Sequence, residues 1–244
     1  MGFWKFLNIS ATEQEPEHVE LRIEGDIVSD DDAWMYELFE VKATSPNAFR
    51  SELAQYRGKP ITVWIDSYGG DVFAAAGIYN ALKEHNGKVT VKIDGKAMSA
   101  ASIIAMAGSE ILMSPVSVMM IHNPLTYASG DMHEIRHIAD VLDTVKESII
   151  NAYQIKTRKS KSKISEMMDN ETWMSAKSAI KDGFADGMLY SESTEPVTMQ
   201  FSRMEISNSV KSSSKRLIEI GRQHNQSPDN QDIIKAKLAL EIEL

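Results

Sequence analysis

Val89-Thr-Val-Lys-Ile-Asp-Gly-Lys-Ala-Met-Ser-Ala-Ala-Ser-Ile-Ile-Ala-Met-Ala-Gly108 is the stretch whose reading decides the fold. It opens as a β-rich run, passes Gly95 as a turn, and continues from about 100 to 107 as a helix of small and apolar residues. Further β-rich runs stand at Ile61-Thr-Val-Trp-Ile65, 111–113 and 116–121, with a helical pattern from 71 to 86 between two of them. Upstream, Val19, Leu21 and Ile23 fall on one face in the period-two pattern of a half-buried strand. Strands alternating with helices imply an α/β layer architecture. The fold is expected to start near residue 18, after a polar segment over 1–17.

From 131 to 156 the residues Met132, Ile135, Ile138, Leu142, Val145, Ile149 and Tyr153 recur at spacings of three and four, which predicts a long amphipathic helix. Its stripe must be covered, either by the same domain or in part by a second subunit. Beyond Tyr190 the composition changes to a serine-rich stretch around Ser207 and Ser212–Ser214, which reads as a linker. The domain boundary is placed between 191 and 200, giving a domain over 18–195 and a tail over 196–244. Two helix-like pieces in that tail, 217–220 and 233–244, are too small to hold a core and read as docking or disordered segments.

Composition narrows the chemistry. The 244 residues are 43% hydrophobic, enough for one sizeable core. With 35 acidic against 26 basic residues the formal charge is −9, which argues against a phosphate-binding surface and so against nucleic acid. There is no cysteine, which leaves hydroxyl, imidazole and carboxylate groups as the catalytic repertoire. No run approaches the length of a membrane span, and the expectation is a soluble, cytoplasmic protein.

Three segments carry candidate chemistry. Ile65-Asp-Ser-Tyr-Gly-Gly-Asp-Val72 joins a strand to a helix through paired glycines, a turn able to present bare N–H groups. Ser99 stands where a strand meets a helix, and N–H groups there favour a developing oxyanion; serine is also a common helix N-cap, which is the bland reading. His122 leaves a strand end in Ile121-His-Asn-Pro124, and an imidazole is the usual base for a serine hydroxyl. A lone histidine is otherwise most often a hydrogen-bonded surface or core group.

Taken together, these pieces resemble the Clp protease family, the ClpP-type serine peptidases. The family's Asn-Ser-Pro-Gly-Gly is similar to Asp66-Ser-Tyr-Gly-Gly70, its Gly-Gln-Ala-Ala-Ser to Gly95-Lys-Ala-Met-Ser99, and its Met-Ile-His-Gln-Pro-Leu to Met120-Ile-His-Asn-Pro-Leu125. A fourth piece, from Trp173 to Asp186, resembles the family's closing motif. The resemblance runs over about residues 18 to 190.

That resemblance implies the crotonase-like α/β fold of stacked βαβ units, with 131–156 as the handle helix between stacked heptameric rings. It implies Ser99 as nucleophile, because aligning Gly95 and Ala107-Gly108 without a gap selects Ser99 over Ser102. His122 becomes the base, and the N–H groups of Gly70 and Ala100 the oxyanion donors. The third triad position, an aspartate in the family, is Glu171 here, with Asp169 as the alternative. No metal or cofactor is implied. Protein or peptide substrates are, while an ATP-driven unfoldase partner is left open by an N-terminal region unlike the family's axial loop.

Tyr68, Glu171, Ser102 and the tail are more like the Clp-related proteases of tailed bacteriophages, which implies capsid or scaffold proteins as substrates during head maturation. A bacterial housekeeping peptidase is the alternative. Rivals of another class are a crotonase-type acyl-CoA enzyme and a catalytically silent assembly protein.

Overall fold

The computed structural model describes residues 7–9 and 18–190. The expected serine-rich linker, its helical pieces and the boundary between 191 and 200 lie outside these residues. In chain order the elements are β1 (Leu7–Ile9), β2 (His18–Ile27), α1 (Ala33–Leu38), β3 (Ala43–Thr44), α2 (Pro46–Leu53), β4 (Ile61–Gly70), α3 (Val72–Glu84) and β5 (Val89–Met98). They continue with α4 (Ala100–Ala105), β6 (Glu110–Met113), β7 (Val118–Ile121), α5 (Met132–Thr157), α6 (Lys161–Asp169), β8 (Thr172–Ser175), α7 (Ala176–Asp182) and β9 (Gly187–Met188).

The sheet runs β1-β2-β4-β5-β6-β9. Its spine of β2, β4, β5 and β6 is parallel, as βαβ crossovers require, so the molecule is an α/β protein built from successive strand–helix units. Alternation along the strands explains the layering. Val19, Leu21, Ile23, Ile61, Val63, Ile65, Val89, Val91 and Ile93 all point into one core with α3 and α4, each buried aliphatic side chain contributing roughly 1.5–3 kcal/mol. On the opposite face, Trp64 lies between the cations of Arg22 (5.8 Å) and Lys92 (4.8 Å), its partners across the sheet.

Three local expectations need correction. The short strand β1 lies ahead of residue 18 and pairs antiparallel with β2, Asn8 opposite Val19; three residues are too few to show a period. The strand β4 runs through its glycines, pairing Gly70 with Ile27, and turns into α3 only at Asp71. Gly95 likewise makes no turn, because β5 continues to Met98. A Cβ on Gly95 would lie 2.5 Å from Asp66 Oδ1, so close approach explains the glycine.

Between Ile93 and Lys96 β5 changes partner, from β6 (Ile93 opposite Met113) to β7 (Lys96 opposite Val118, Met98 opposite Met120). This switch brings the ends of β5 and β7 side by side. On its other edge β7 pairs antiparallel with β8, and the ladder ends at Ile121 opposite Thr172, so that His122 and Glu171 are the chain neighbours just beyond that last pair.

The helix α5 is divided. Its buried residues are Ile149, Ile150, Ala152 and Tyr153, close to its C-terminal end. The earlier part of the stripe is open in the protomer, with Met132 56% and Ile135 41% exposed. An Asp131–Glu134 capping box starts this helix, so local chemistry holds the end that tertiary packing does not.

Candidate active site

Ser99 occupies the junction between β5 and α4 with φ 51° and ψ −124°, a region that L-residues rarely adopt. Such a conformation costs on the order of 1–3 kcal/mol and persists only where surroundings enforce it. Ser99 N–H donates to Met120 O at 2.9 Å, and Ser102 N–H donates to Ser99 O at 2.9 Å. Gly69 packs against the same turn: a Cβ there would lie 2.9 Å from both Ala100 N and Ser99 Cβ. That glycine is in turn held by Ser67, whose buried hydroxyl donates to Gly25 O (2.6 Å) and accepts from Gly69 N–H (3.1 Å).

The hydroxyl of Ser99 makes no capping bond to α4. Its Oγ lies 2.6 Å from His122 Nε2. The helix N-cap reading of Ser99 therefore fails on geometry, although the residue stands at that position. Ser102 is different. Fully buried, it donates from Oγ to Ser99 O at 2.6 Å and lies 2.7 Å from the Tyr153 hydroxyl.

His122 is partly buried, and that burial lowers its pKa below the ordinary imidazole value, while the nearby Glu171 carboxylate opposes the shift. The neutral ring is thus the form favoured near pH 7. With Nε2 turned to Ser99, accepting that hydroxyl's proton leaves Nδ1 to carry the ring hydrogen. No hydrogen bond joins Glu171 to His122; the two interact through charge across the β7–β8 pair. Glu171 has φ 46°, another rare conformation, and its Oε1 accepts from Trp173 Nε1 at 3.1 Å.

Asp169 is spent elsewhere. Its Oδ1 accepts from Lys146 Nζ on α5 and, at 2.9 Å, from Asn123 Nδ2. Those bonds, that of Lys146 foremost, hold its carboxyl below the usual range. Tyr68, where the resemblance would have a proline, lies with its ring 4.2 Å from Lys96 Nζ, which also pairs with Asp66. Among the described residues no cluster of His, Asp and Glu suits a metal ion, and no helix is long and apolar enough to cross a membrane.

A serine hydroxyl aimed at a half-buried imidazole on a strained strand–helix junction is an arrangement in which the imidazole can take the hydroxyl proton. The Clp protease family model matches residues 51–192, more than half of the chain. The chain belongs to the Clp protease family. Among curated relatives, the ATP-dependent Clp protease proteolytic subunit of Bacteroides fragilis is 31% identical over 134 residues, 54% of this chain and 65% of that protein. Subunit 1 of the Chlamydia abortus enzyme is 32% identical over 141 residues, 55% of this chain and 72% of that protein. The match to the Bacteroides protein thus spans a little under two thirds of its length.

Within the span matched to the Clp protease family lie all the candidate residues: Gly70, Ser99, Ala100, His122, Asp169 and Glu171. What reading the sequence missed is the set of groups behind them. Ser67, Met120 O, Ser102 and Tyr153 hold Ser99 and its glycine neighbour through backbone or long-range bonds. Only Ser102 had a local signal, a serine one helical turn after Ser99.

Proposed function

We propose that the chain is a serine endopeptidase in which Ser99 is the nucleophile, His122 the general base and Glu171 the third member of the triad. The observation that carries it is the 2.6 Å approach of Ser99 Oγ to His122 Nε2, on a residue whose hydroxyl is free of capping. In the reaction His122 Nε2 takes the hydroxyl proton as Ser99 Oγ bonds to the scissile carbonyl carbon. The tetrahedral intermediate collapses to an acyl-serine as the proton passes to the leaving amine. Water then repeats the sequence and releases the acid. Glu171 stabilises the imidazolium that forms in each half.

The N–H groups of Gly70 and Ala100 are the proposed oxyanion donors. Asp71 N–H donates to Ile27 O at 2.7 Å, and N–H groups alternate sides along an extended chain. That alternation supports a Gly70 N–H facing away from β2, toward β5 and Ser99. Hydrolysis of a short unstructured peptide tests the assignment: activity should fall on the order of 10³-fold or more in His122→Ala. Retention of wild-type activity in that variant would remove the base.

The open face of α5 supports assembly through a second copy of the chain, in stacked rings, with protein or peptide substrates admitted to an inner chamber. A carboxylate added to a covered apolar stripe is costly, so Ile135→Glu should dissociate the particle in sedimentation. An undisturbed particle would place the interface elsewhere. The finer reading is a bacteriophage head-maturation protease acting on capsid or scaffold proteins, favoured by Tyr68 and by Glu171 in the triad; the alternative is a housekeeping peptidase served by an ATP-driven unfoldase.

A further inference from the structure

Ser102 has one hydroxyl hydrogen, and it is committed to Ser99 O at 2.6 Å. The 2.7 Å contact with Tyr153 must then run the other way, Tyr153 O–H donating to Ser102 Oγ. The result is a directed chain from α5 through α4 to the carbonyl of Ser99. Both side chains are sealed from water, Ser102 at 0% and Tyr153 at 1% exposure. Burial also raises the pKa of the phenol far above its ordinary value, so it stays a donor across the working pH range. Tyr153 is itself fixed edge-on against Phe184, ring centroids 5.7 Å apart.

The Ser99 carbonyl and the Ala100 N–H belong to one planar trans peptide, so they point in opposite directions. Whatever holds the carbonyl therefore aims the N–H. We propose that Ser102 and Tyr153 are positioning residues that lock the peptide between Ser99 and Ala100, orienting the Ala100 N–H as an oxyanion donor and holding Ser99 in its positive-φ conformation. This rests on the reading of Ser99 as nucleophile. It also gives Ser102, which sequence alone leaves as a rival for that role, a separate function. Tyr153 lies in the buried segment of α5, so the same contact ties this helix to the reacting serine.

The test is the second-order rate at which a fluorophosphonate labels Ser99 in the full chain, measured beside kcat and KM for a short peptide and the melting temperature. Removing an oxyanion donor outright costs about 10²–10³ in rate, so mis-aiming one should cost about tenfold in Ser102→Ala and a few-fold in Tyr153→Phe. The loss should appear in kcat and in labelling, with KM nearly unchanged. Because both residues act through one chain of bonds, the double variant should be no slower than Ser102→Ala. Tyr153→Phe removes a single oxygen and carries the test if Ser102→Ala fails to fold. Lowered melting temperatures with labelling at the wild-type rate would reduce the pair to a structural contact and overturn the proposal. A wild-type chain unlabelled at Ser99 would instead overturn the nucleophile assignment, and the positioning role with it.

Discussion

Two strand–helix junctions lie side by side in this molecule, and they spend their polar residues differently. At the end of β4, Asp71 takes an ordinary extended conformation (φ −67°, ψ 127°), and its carboxylate accepts from Ala74 N–H at 2.6 Å to cap α3. At the end of β5, Ser99 takes a strained conformation, leaves α4 without a side-chain cap and turns its hydroxyl to His122. The first junction uses its side chain for stability. The second forgoes a cap, worth about 1 kcal/mol, and adds strain of similar size. That local cost is held in place by Met120, Ser102 and Gly69, and it supports the proposal of Ser99 as the nucleophile.

The sharpest way to break the comparison is to exchange the hydroxyl for a hydrogen. Ser99→Ala should lower peptide hydrolysis on the order of 10³-fold or more while the chain remains folded, because the hydroxyl caps nothing. A large loss of stability in that variant, read by thermal melting, would show that Ser99 is a structural residue after all.

Next in size is the carboxylate. Glu171→Gln should cost on the order of 10²-fold or more in kcat, since a neutral amide cannot stabilise the imidazolium. It should also move the acid limb of the pH–rate profile. His122 already titrates below 6.5 because burial disfavours its charge, so activity should rise with pH through a midpoint below that value. The Glu171 charge is the influence that raises the midpoint, and losing it shifts the limb to lower pH. An unmoved limb would separate Glu171 from His122. Asp169→Asn should leave the limb nearly in place, because that carboxylate is engaged by Lys146 and Asn123.

How much of this was open to the sequence depends on the range of the interaction. The period-two alternation of Val19, Leu21 and Ile23 led to β2, the β-rich runs at 61–65 and 89–93 to the first halves of β4 and β5, and the stripe at spacings of three and four to α5, since such patterns record which face is covered. Ser99, His122 and Glu171 came within reach through the resemblance of their motifs to the Clp protease family, although the approach of their elements depends on β5 exchanging β6 for β7, which no local pattern encodes. Gly95 misled because a glycine in sequence reads as a turn, whereas here it makes room for the Asp66 carboxylate. Tyr153 was legible only as one more apolar position on a helix; its hydroxyl contact with Ser102 crosses 51 residues. The division of α5 into a packed and an open part was likewise hidden, because a stripe shows that a face is covered and not by what.

The smaller effects sharpen the comparison. Asp71→Ala should lower stability by about 0.5–2 kcal/mol through loss of the cap, with the Ser99–His122 pair intact. Ser99→Gly should be more stable than Ser99→Ala by about 1 kcal/mol, because glycine adopts φ near 51° without a Cβ penalty, and thermal melting reads that difference. Equal stabilities would mean that the junction at Ser99 holds no strain.

The most direct measurement of the central claim is peptide mapping of the wild-type chain after reaction with a fluorophosphonate probe. A single adduct on Ser99, abolished in Ser99→Ala and slowed strongly in His122→Ala, is the result predicted by a hydroxyl withheld from capping and aimed at an imidazole. An adduct on Ser102, or an intact particle that takes no label at all, would contradict it.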